Sequence, residues 1–411
     1  MNIFTLILSS PRFLAFGFLA AFFSSFGQTY FISLSGAEIR ATFDLSHGDF
    51  GMIYSAGTLT SAALLIWAGR KIDDLDLRLY TAIVCVGFAA ACFGMSVVAS
   101  AFWLYPIIFG LRFTGQGLLS HIETIAMARY FGAHRGKALS IASMGYPLGE
   151  ALLPMLAVVM IASYGWREMW SSIGITLAII LVPIMLWLLK GHGERHRKLE
   201  EASRDEAKEI KSEVWSRRHV LRDPRFYILL PSILAASFIV TGLFFHQVHL
   251  AEDKGWGMSL FATAFVAFAA GQIVASLVSG ILIDKYGAVR LIKYYLMPMV
   301  IAIVLFISID AFWMAFVFMA FLGATSGMVG VVNSAIWAEI YGVAHLGAIK
   351  ALGTALMVLS TALSPPIMGW AIDGGVSMEA IVGACAVYCL IAAFLAAFAL
   401  PRFNKVKTMD S

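Results

Sequence analysis

Gly280-Ile-Leu-Ile-Asp284-Lys285-Tyr-Gly287-Ala-Val-Arg290 separates two long apolar runs, and Gly69-Arg-Lys-Ile-Asp73-Asp-Leu-Asp76-Leu-Arg78 does the same 211 residues earlier. Both are short, charged connections. Glycine lets the flanking helices approach, and an acidic residue beside a helix N-terminus is favoured by the helix dipole and by nearby arginines. The same shift of 211 carries Tyr130 to Tyr341, His134 to His345, Gly136 to Gly347 and Pro154 to Pro365. Ser10-Pro11-Arg12-Phe13 recurs, at almost the same offset, as Asp223-Pro224-Arg225-Phe226. One register held over so much sequence predicts an internal duplication. With an even number of spans in each copy, the halves are parallel and related by an axis along the membrane normal.

Composition says what the duplicated unit is made of. Of 411 residues, 60% are hydrophobic and 13% charged, against about a quarter charged in a soluble domain. Residues 190–225 hold 19 of the 54 charges, leaving 35 for the other 375 positions. This argues against a soluble enzyme. A bilayer core about 30 Å thick takes roughly 20 apolar residues per helix, and the apolar runs give twelve candidate spans: 13–35, 50–69, 78–99, 103–128, 138–163, 168–190, 226–248, 257–280, 291–310, 312–336, 347–370 and 378–400. The prediction is an all-α membrane protein with twelve transmembrane helices in two pseudo-symmetric six-helix bundles, 1–190 and 223–411, joined by a charged linker at 191–222. That linker reads as a solvated connector or as a regulatory, partner-binding segment.

Basic residues near span ends mark the cytoplasmic side. With the N-terminus inside, 25 of the 29 Lys and Arg fall there, leaving Arg40, Arg167 and Lys254 outside and Arg112 within a span. An even number of spans with both termini cytoplasmic follows, in a cell inner membrane, and the net charge of +4 becomes a topology signal and not a sign of a nucleic-acid partner. The residues before Ser10-Pro11-Arg12 are too short and too weakly charged for a cleavable signal. Cys85, Cys92, Cys385 and Cys389 lie in apolar runs and read as small hydrophobes.

On these motifs the chain resembles the major facilitator superfamily. Gly280 to Arg290 is similar to its signature between helices 8 and 9, and Gly69 to Arg78 to the sister copy, with Asp76 where the family usually has glycine. Arg112-Phe-Thr-Gly115-Gln116-Gly117 resembles the family's arginine motif in the fourth helix and Gly145-Tyr-Pro147-Leu-Gly149 its glycine-proline motif in the fifth. The resemblance covers the whole chain. It implies transport without cofactor or catalysis, a monomer working by alternating access, and Gly69, Asp73, Arg78, Gly280, Asp284 and Arg290 as gating residues. Within the superfamily the chain resembles the monocarboxylate and oxalate/formate branch, although it lacks a lysine in the first span and an Asp or Arg in the eighth.

Ionisable residues at membrane depth are costly and are functional candidates by default. Arg112, nine residues after Trp103, lies about 14 Å deep and Glu150 at a similar level on the next span, close enough to pair. They form either an ion pair orienting two helices or an anion-binding arginine beside a proton-binding carboxylate. Gln28 and Tyr30 in the first span, Gln116 in the fourth, His246 and Gln247 in the seventh, Gln272 in the eighth and Asn333 in the tenth complete the candidate substrate and proton site. Ser24, Ser25 and Gln28 fall on one stripe of a continuous helix. The expected partners are a small-molecule substrate, protons and the lipid bilayer. Proton-coupled movement of an organic anion fits these residues. Proton-antiport efflux of an amphipathic compound is the alternative, and a non-transporting membrane receptor or enzyme the reading of another class. No Gly-x-x-x-x-Gly-Lys-Ser/Thr loop is present to bind ATP, and no metal-ligand spacing occurs.

Overall fold

A computed structural model describes residues 3–193, 221–341 and 346–407. The charged linker falls almost wholly outside the described residues. Among the described residues nine helices are long and apolar enough to cross a membrane, the bent pair Pro11–Gly27 with Thr29–Phe43 makes a tenth, and the segmented helix of residues 101–130 and the short Met297–Ser308 stand at the two remaining expected spans. We label them α1 (Pro11–Gly27 continued by Thr29–Phe43), α2 (His47–Ala68), α3 (Leu77–Val97), α4 (Ala101–Gly110, Leu111–Leu119 and Ser120–Tyr130), α5 (Arg135–Tyr164) and α6 (Trp166–Leu188). The second half supplies α7 (Pro224–Phe245), α8 (Met258–Tyr286), α9 (Met297–Ser308), α10 (Met314–Tyr341), α11 (Leu346–Asp373) and α12 (Met378–Lys407). Contacts divide the chain into two compact units, Met1–Asp44 with Met52–Lys211, and Leu45–Gly51 with Ser212–Ser411.

The apolar runs located the helices; local chemistry set their ends. α9 begins at Met297 and not near 291, because Pro298, which has no N–H to lose, occupies its first turn. Asp76, the residue that departs from the usual glycine, is the N-cap of α3, accepting from the amides of Arg78 (2.9 Å) and Leu79 (3.3 Å). Gly287 turns the chain between α8 and the short helix that follows with φ of +81°, which a side chain would resist.

Two spans of the first unit are irregular. α1 runs as α-helix to Ser24, tightens to 3₁₀ over Ser25–Gly27 and becomes extended at Gln28 (φ −81°, ψ 154°), bending the span by 46°. The expected continuous stripe of Ser24, Ser25 and Gln28 is therefore interrupted. Ser24 Oγ bonds the Ala21 carbonyl of its own helix at 2.7 Å, a contact that bends helices. Gly27 presses on α4 so closely that a Cβ there would lie 2.5 Å from the Leu111 carbonyl oxygen. α4 answers with a π-helical segment, Leu111–Leu119, holding Arg112 and Gln116. Such segments leave α-type hydrogen bonds unmade and recur at functional sites.

In the second unit α8 and α10 lie side by side. A Cβ at Gly323 would overlap the Phe268 carbonyl, and one at Gly327 the Gln272 carbonyl, so the glycines spaced four apart set the approach of the helices. The same unit takes in the first turn of α2, where the Asp373 carboxylate accepts from the amides of His47 (3.0 Å) and Gly48 (2.7 Å).

Lys254, in the connection after α7, reaches Asp310 before α10 at 2.7 Å and Glu379 on α12 at 2.5 Å, with its ammonium 4.7 Å from the Phe306 ring centroid. Burial works to lower its pKa, but bonds and charge from the two carboxylates outweigh this and leave it raised. Stability from a raised lysine is complete below its unfolded value of about 10.4 and is lost as pH rises through the folded value. Lys254→Met is therefore expected to destabilise the protein by about 1 kcal/mol. The difference in melting temperature from wild type should hold from neutral pH to about 10 and shrink above that; a difference that is constant across the alkaline range contradicts the ion-pair account.

Candidate functional site

The break in α1 and the π segment of α4 meet at Gly27 and Gly115, and Arg112 fills the angle between them. Its side chain is 6% exposed. One guanidinium nitrogen donates to the Gly27 carbonyl at 3.2 Å and, more weakly, to Thr29 Oγ1 at 3.4 Å. Thr29 shares a 2.6 Å hydrogen bond with the Tyr54 hydroxyl of α2, and the guanidinium lies 5.2 Å from the Tyr54 ring centroid. Arg112 Nε has no hydrogen-bond partner among the described residues. The arginine is thus fixed by neutral groups and keeps a donor in reserve.

The expected pairing of Arg112 with Glu150 is not made: among the described residues no ion pair joins them. Counting residues along ideal helices matched their depths but carried no information on azimuth. The broken α1 supplies a carbonyl that α4 turns Arg112 toward. Glu150 stays on α5 with Oε2 shut off from solvent and unbonded among the described residues. Tyr30, buried just past the break in α1, interacts electrostatically with the Glu150 carboxylate. Gly149 explains how α5 comes so near, since a Cβ there would overlap Ser25 Oγ. Gln28 and Gln116 are half-buried at the same crossing, in the extended residue and the π segment respectively.

The candidates of the second unit are spread over separate helices. His246 is 3% exposed and its Nε2 is 2.9 Å from the Pro365 carbonyl, so that ring nitrogen serves to hold α7 to α11. Its ring also lies 5.6 Å from that of His47, which in turn packs 4.9 Å from His249. Gln247 is fully buried. Gln272 Oε1 on α8 and Asn333 Oδ1 on α10 are buried without a hydrogen-bond partner among the described residues.

At the two signature turns the structure assigns work to residues that the motif did not. The Gly69 carbonyl meets His121 Nε2 at 3.1 Å. The Asp73 side chain lies outside the described residues, and Arg78 is exposed. Asp284 and Arg290 are exposed too, while the amides of Ala288 and Val289 are capped by Glu339 of α10, at 2.6 and 3.3 Å. The expected latch acceptor is Asp284; the carboxylate found on the helix N-terminus is Glu339. Glu339 follows the apolar run of α10 and reads in sequence as a span-end charge, so only the packing of α10 under Gly287 reveals it. Thr29 and Tyr54 were equally hidden among residues that usually serve packing, whereas Glu123 reads in sequence as an acid near the inner end of the fourth span with a cytoplasmic base for a partner, and the structure gives it hydroxyls instead. No group of three or more His, Cys, Asp or Glu positioned for a metal occurs among the described residues.

Comparison with known proteins agrees with this architecture. The family model of the Major Facilitator Superfamily matches residues 17–249 and 235–408. The membrane sensor protein UhpC of Salmonella typhimurium is 23% identical over 297 residues, which are 67% of this chain and 64% of the sensor. The MFS-type transporter YcxA of Bacillus subtilis is 22% identical over 98% of both chains, and the 3-(3-hydroxy-phenyl)propionate transporter of Escherichia coli 27% identical over 38% of each. Among solved structures, a bacterial homologue of the human lysosomal transporter Spinster, in an inward-facing and occupied conformation, superposes with a TM-score of 0.69 at 16% identity, over 94% of this chain and 96% of that one. Apolar spans along an all-helical chain and a family match over almost the whole length lead to one conclusion: the chain is a multi-pass membrane protein belonging to the Major Facilitator Superfamily.

Proposed function

We propose that this transporter moves a small organic anion, coupled to protons, across the inner membrane by alternating access, with both termini cytoplasmic. Arg112 binds the anion and Glu150 carries the proton. The observation that carries the reading is a buried guanidinium held by a carbonyl, a hydroxyl and an aromatic face, with no carboxylate bonded to it among the described residues. A cation at membrane depth is expensive to leave unpaired, and a substrate carboxylate or phosphate offers the counter-charge in a forked geometry suited to arginine. Glu150 faces the complementary problem. Its charge has no cationic partner among the described residues, so binding a proton relieves the cost of burial. Gln28, Tyr30 and Gln116 supply neutral polar groups within the first unit; Gln247, Gln272 and Asn333 are the buried or half-buried polar candidates within the second. The relative from Escherichia coli that is named for a hydroxyphenyl-substituted propionate makes aromatic carboxylates a sensible first panel.

Two readings compete with this one. Efflux of an amphipathic compound by proton antiport is favoured by the aromatic residues of α1. A membrane sensor is favoured by the similarity to UhpC. Proteoliposomes carrying a trapped pH dye and challenged with phenylpropionates, short monocarboxylates, sugar phosphates and lipophilic cations separate all three. The expected result is carboxylate-dependent proton movement in the same direction as the solute. Proton movement opposite to a lipophilic cation would establish antiport, and ligand-induced thermal stabilisation without flux would establish a sensor.

A further inference from the structure

The first unit contains a second embedded carboxylate that the proposed site does not use. Glu123, on the last segment of α4, is 1% exposed. Its oxygens receive three hydroxyls: Thr124 Oγ1 at 2.9 Å, and from α5 Ser143 Oγ at 3.2 Å and the Tyr146 phenol at 3.4 Å. No cation bonds it among the described residues. The elements packed most extensively against this segment are α1, the first part of α5 and the π segment of α4, and the turn between α2 and α3 touches it through the Gly69 and Ile72 carbonyls. Their titratable groups are Arg12, Arg135, Lys137, Tyr146 and Arg112, with Arg70, Lys71, Asp73, Asp74, Asp76 and Arg78 in the turn and His121, Arg129 and Tyr130 on the segment itself. Arg12 donates to the Trp187 carbonyl, Arg112 to Gly27 and Thr29, and His121 contacts the Gly69 carbonyl. Tyr146 is the titratable group bonded to Glu123.

This is an unusual shell for a permanent charge. A structural carboxylate buried in a bundle is normally matched by arginine or lysine, since isolated burial costs several kcal/mol or more. Hydroxyls suit a group that changes protonation, because each can donate to a carboxylate and can equally accept from a carboxylic acid after rotating its O–H. The placement adds a second argument. Tyr146 and Glu150 are four residues apart on α5 and so face the same side one turn apart, and because Tyr146 also bonds Glu123 of α4, its phenol links the levels of the two acids, with Glu123 toward the end of α4 that carries Arg129. We infer that Glu123 is a second proton-binding site of this transporter, loaded and unloaded between Glu150 and the Arg129 end of the bundle, with the Tyr146 phenol positioned to stabilise both of its forms.

The inference extends the proton-coupled reading of Glu150, but it is tested without substrate. Infrared difference spectra of the full chain in lipid nanodiscs, recorded as pH is stepped through the acid and neutral range, report the carbonyl stretch of un-ionised, dehydrated carboxyl groups. Wild type is expected to show two such bands. Glu150→Gln should remove one and keep the other; Glu123→Gln should remove the band that Glu150→Gln keeps, and Tyr146→Phe should move the frequency of that band by deleting one hydrogen bond. Identical acid bands in wild type and monodisperse Glu123→Gln would overturn the proposal. So would a Glu123 band indifferent to Tyr146→Phe, which remains measurable if Glu123→Gln does not fold. Failure of the Glu150 band alone would strike the reading of Glu150 and leave Glu123 standing.

Discussion

Glu150→Gln is expected to abolish uphill accumulation of the transported anion while leaving counterflow exchange within about twofold of wild type. Glutamine keeps the size of the side chain and much of its hydrogen bonding but cannot take up or release a proton. A one-unit pH gradient stores about 1.4 kcal/mol per proton, enough for about tenfold accumulation with one proton coupled. In vesicles under such a gradient the variant should reach equal concentrations on the two sides and stop. Exchange of labelled for unlabelled solute needs no net proton movement and should persist. Undiminished uphill transport by Glu150→Gln would remove this residue from the coupling mechanism.

Arg112→Lys is expected to weaken anion binding by roughly 100-fold, a loss of about 3 kcal/mol. The charge survives the substitution but the fork does not. Lysine places a single ammonium on a flexible stem, and it cannot serve the Gly27 carbonyl and Thr29 while presenting parallel donors to a carboxylate. Carboxylate-induced thermal stabilisation, measured over a concentration series in detergent, gives the shift directly. The melting temperature without ligand serves as the control, because Arg112 also ties α4 to the break in α1. A variant that loses intrinsic stability yet keeps wild-type carboxylate affinity would make Arg112 a structural tie only.

Legibility in the sequence followed the range of the forces involved. Span count, duplication and family depended on hydropathy and on motifs within one turn, and these were readable because a lipid core imposes its length requirement on each helix separately. Asp76 was readable only as a departure, and its role as the α3 N-cap needed the helix start to be known. The Arg112 and Glu150 pairing failed for a different reason. Matching depths treats helices as straight rods, whereas the 46° bend of α1 and the π segment of α4 redirect the side chains about their axes.

The division between sequence and tertiary structure is visible in the acids. By itself the sequence determined that Glu123, Glu150, Asp284 and Glu339 lie in or beside apolar spans, since charge and hydropathy are properties of each position. Which of them meets a helix N-terminus, which meets three hydroxyls and which is left unbonded was decided by packing. Glycines at the crossings, Gly27 against Leu111 and Gly149 against Ser25, let backbones close to distances that no side-chain pattern announces. Hydrogen-bond partners in a membrane bundle come from neighbouring helices remote in sequence, and their identity is fixed only when those helices dock.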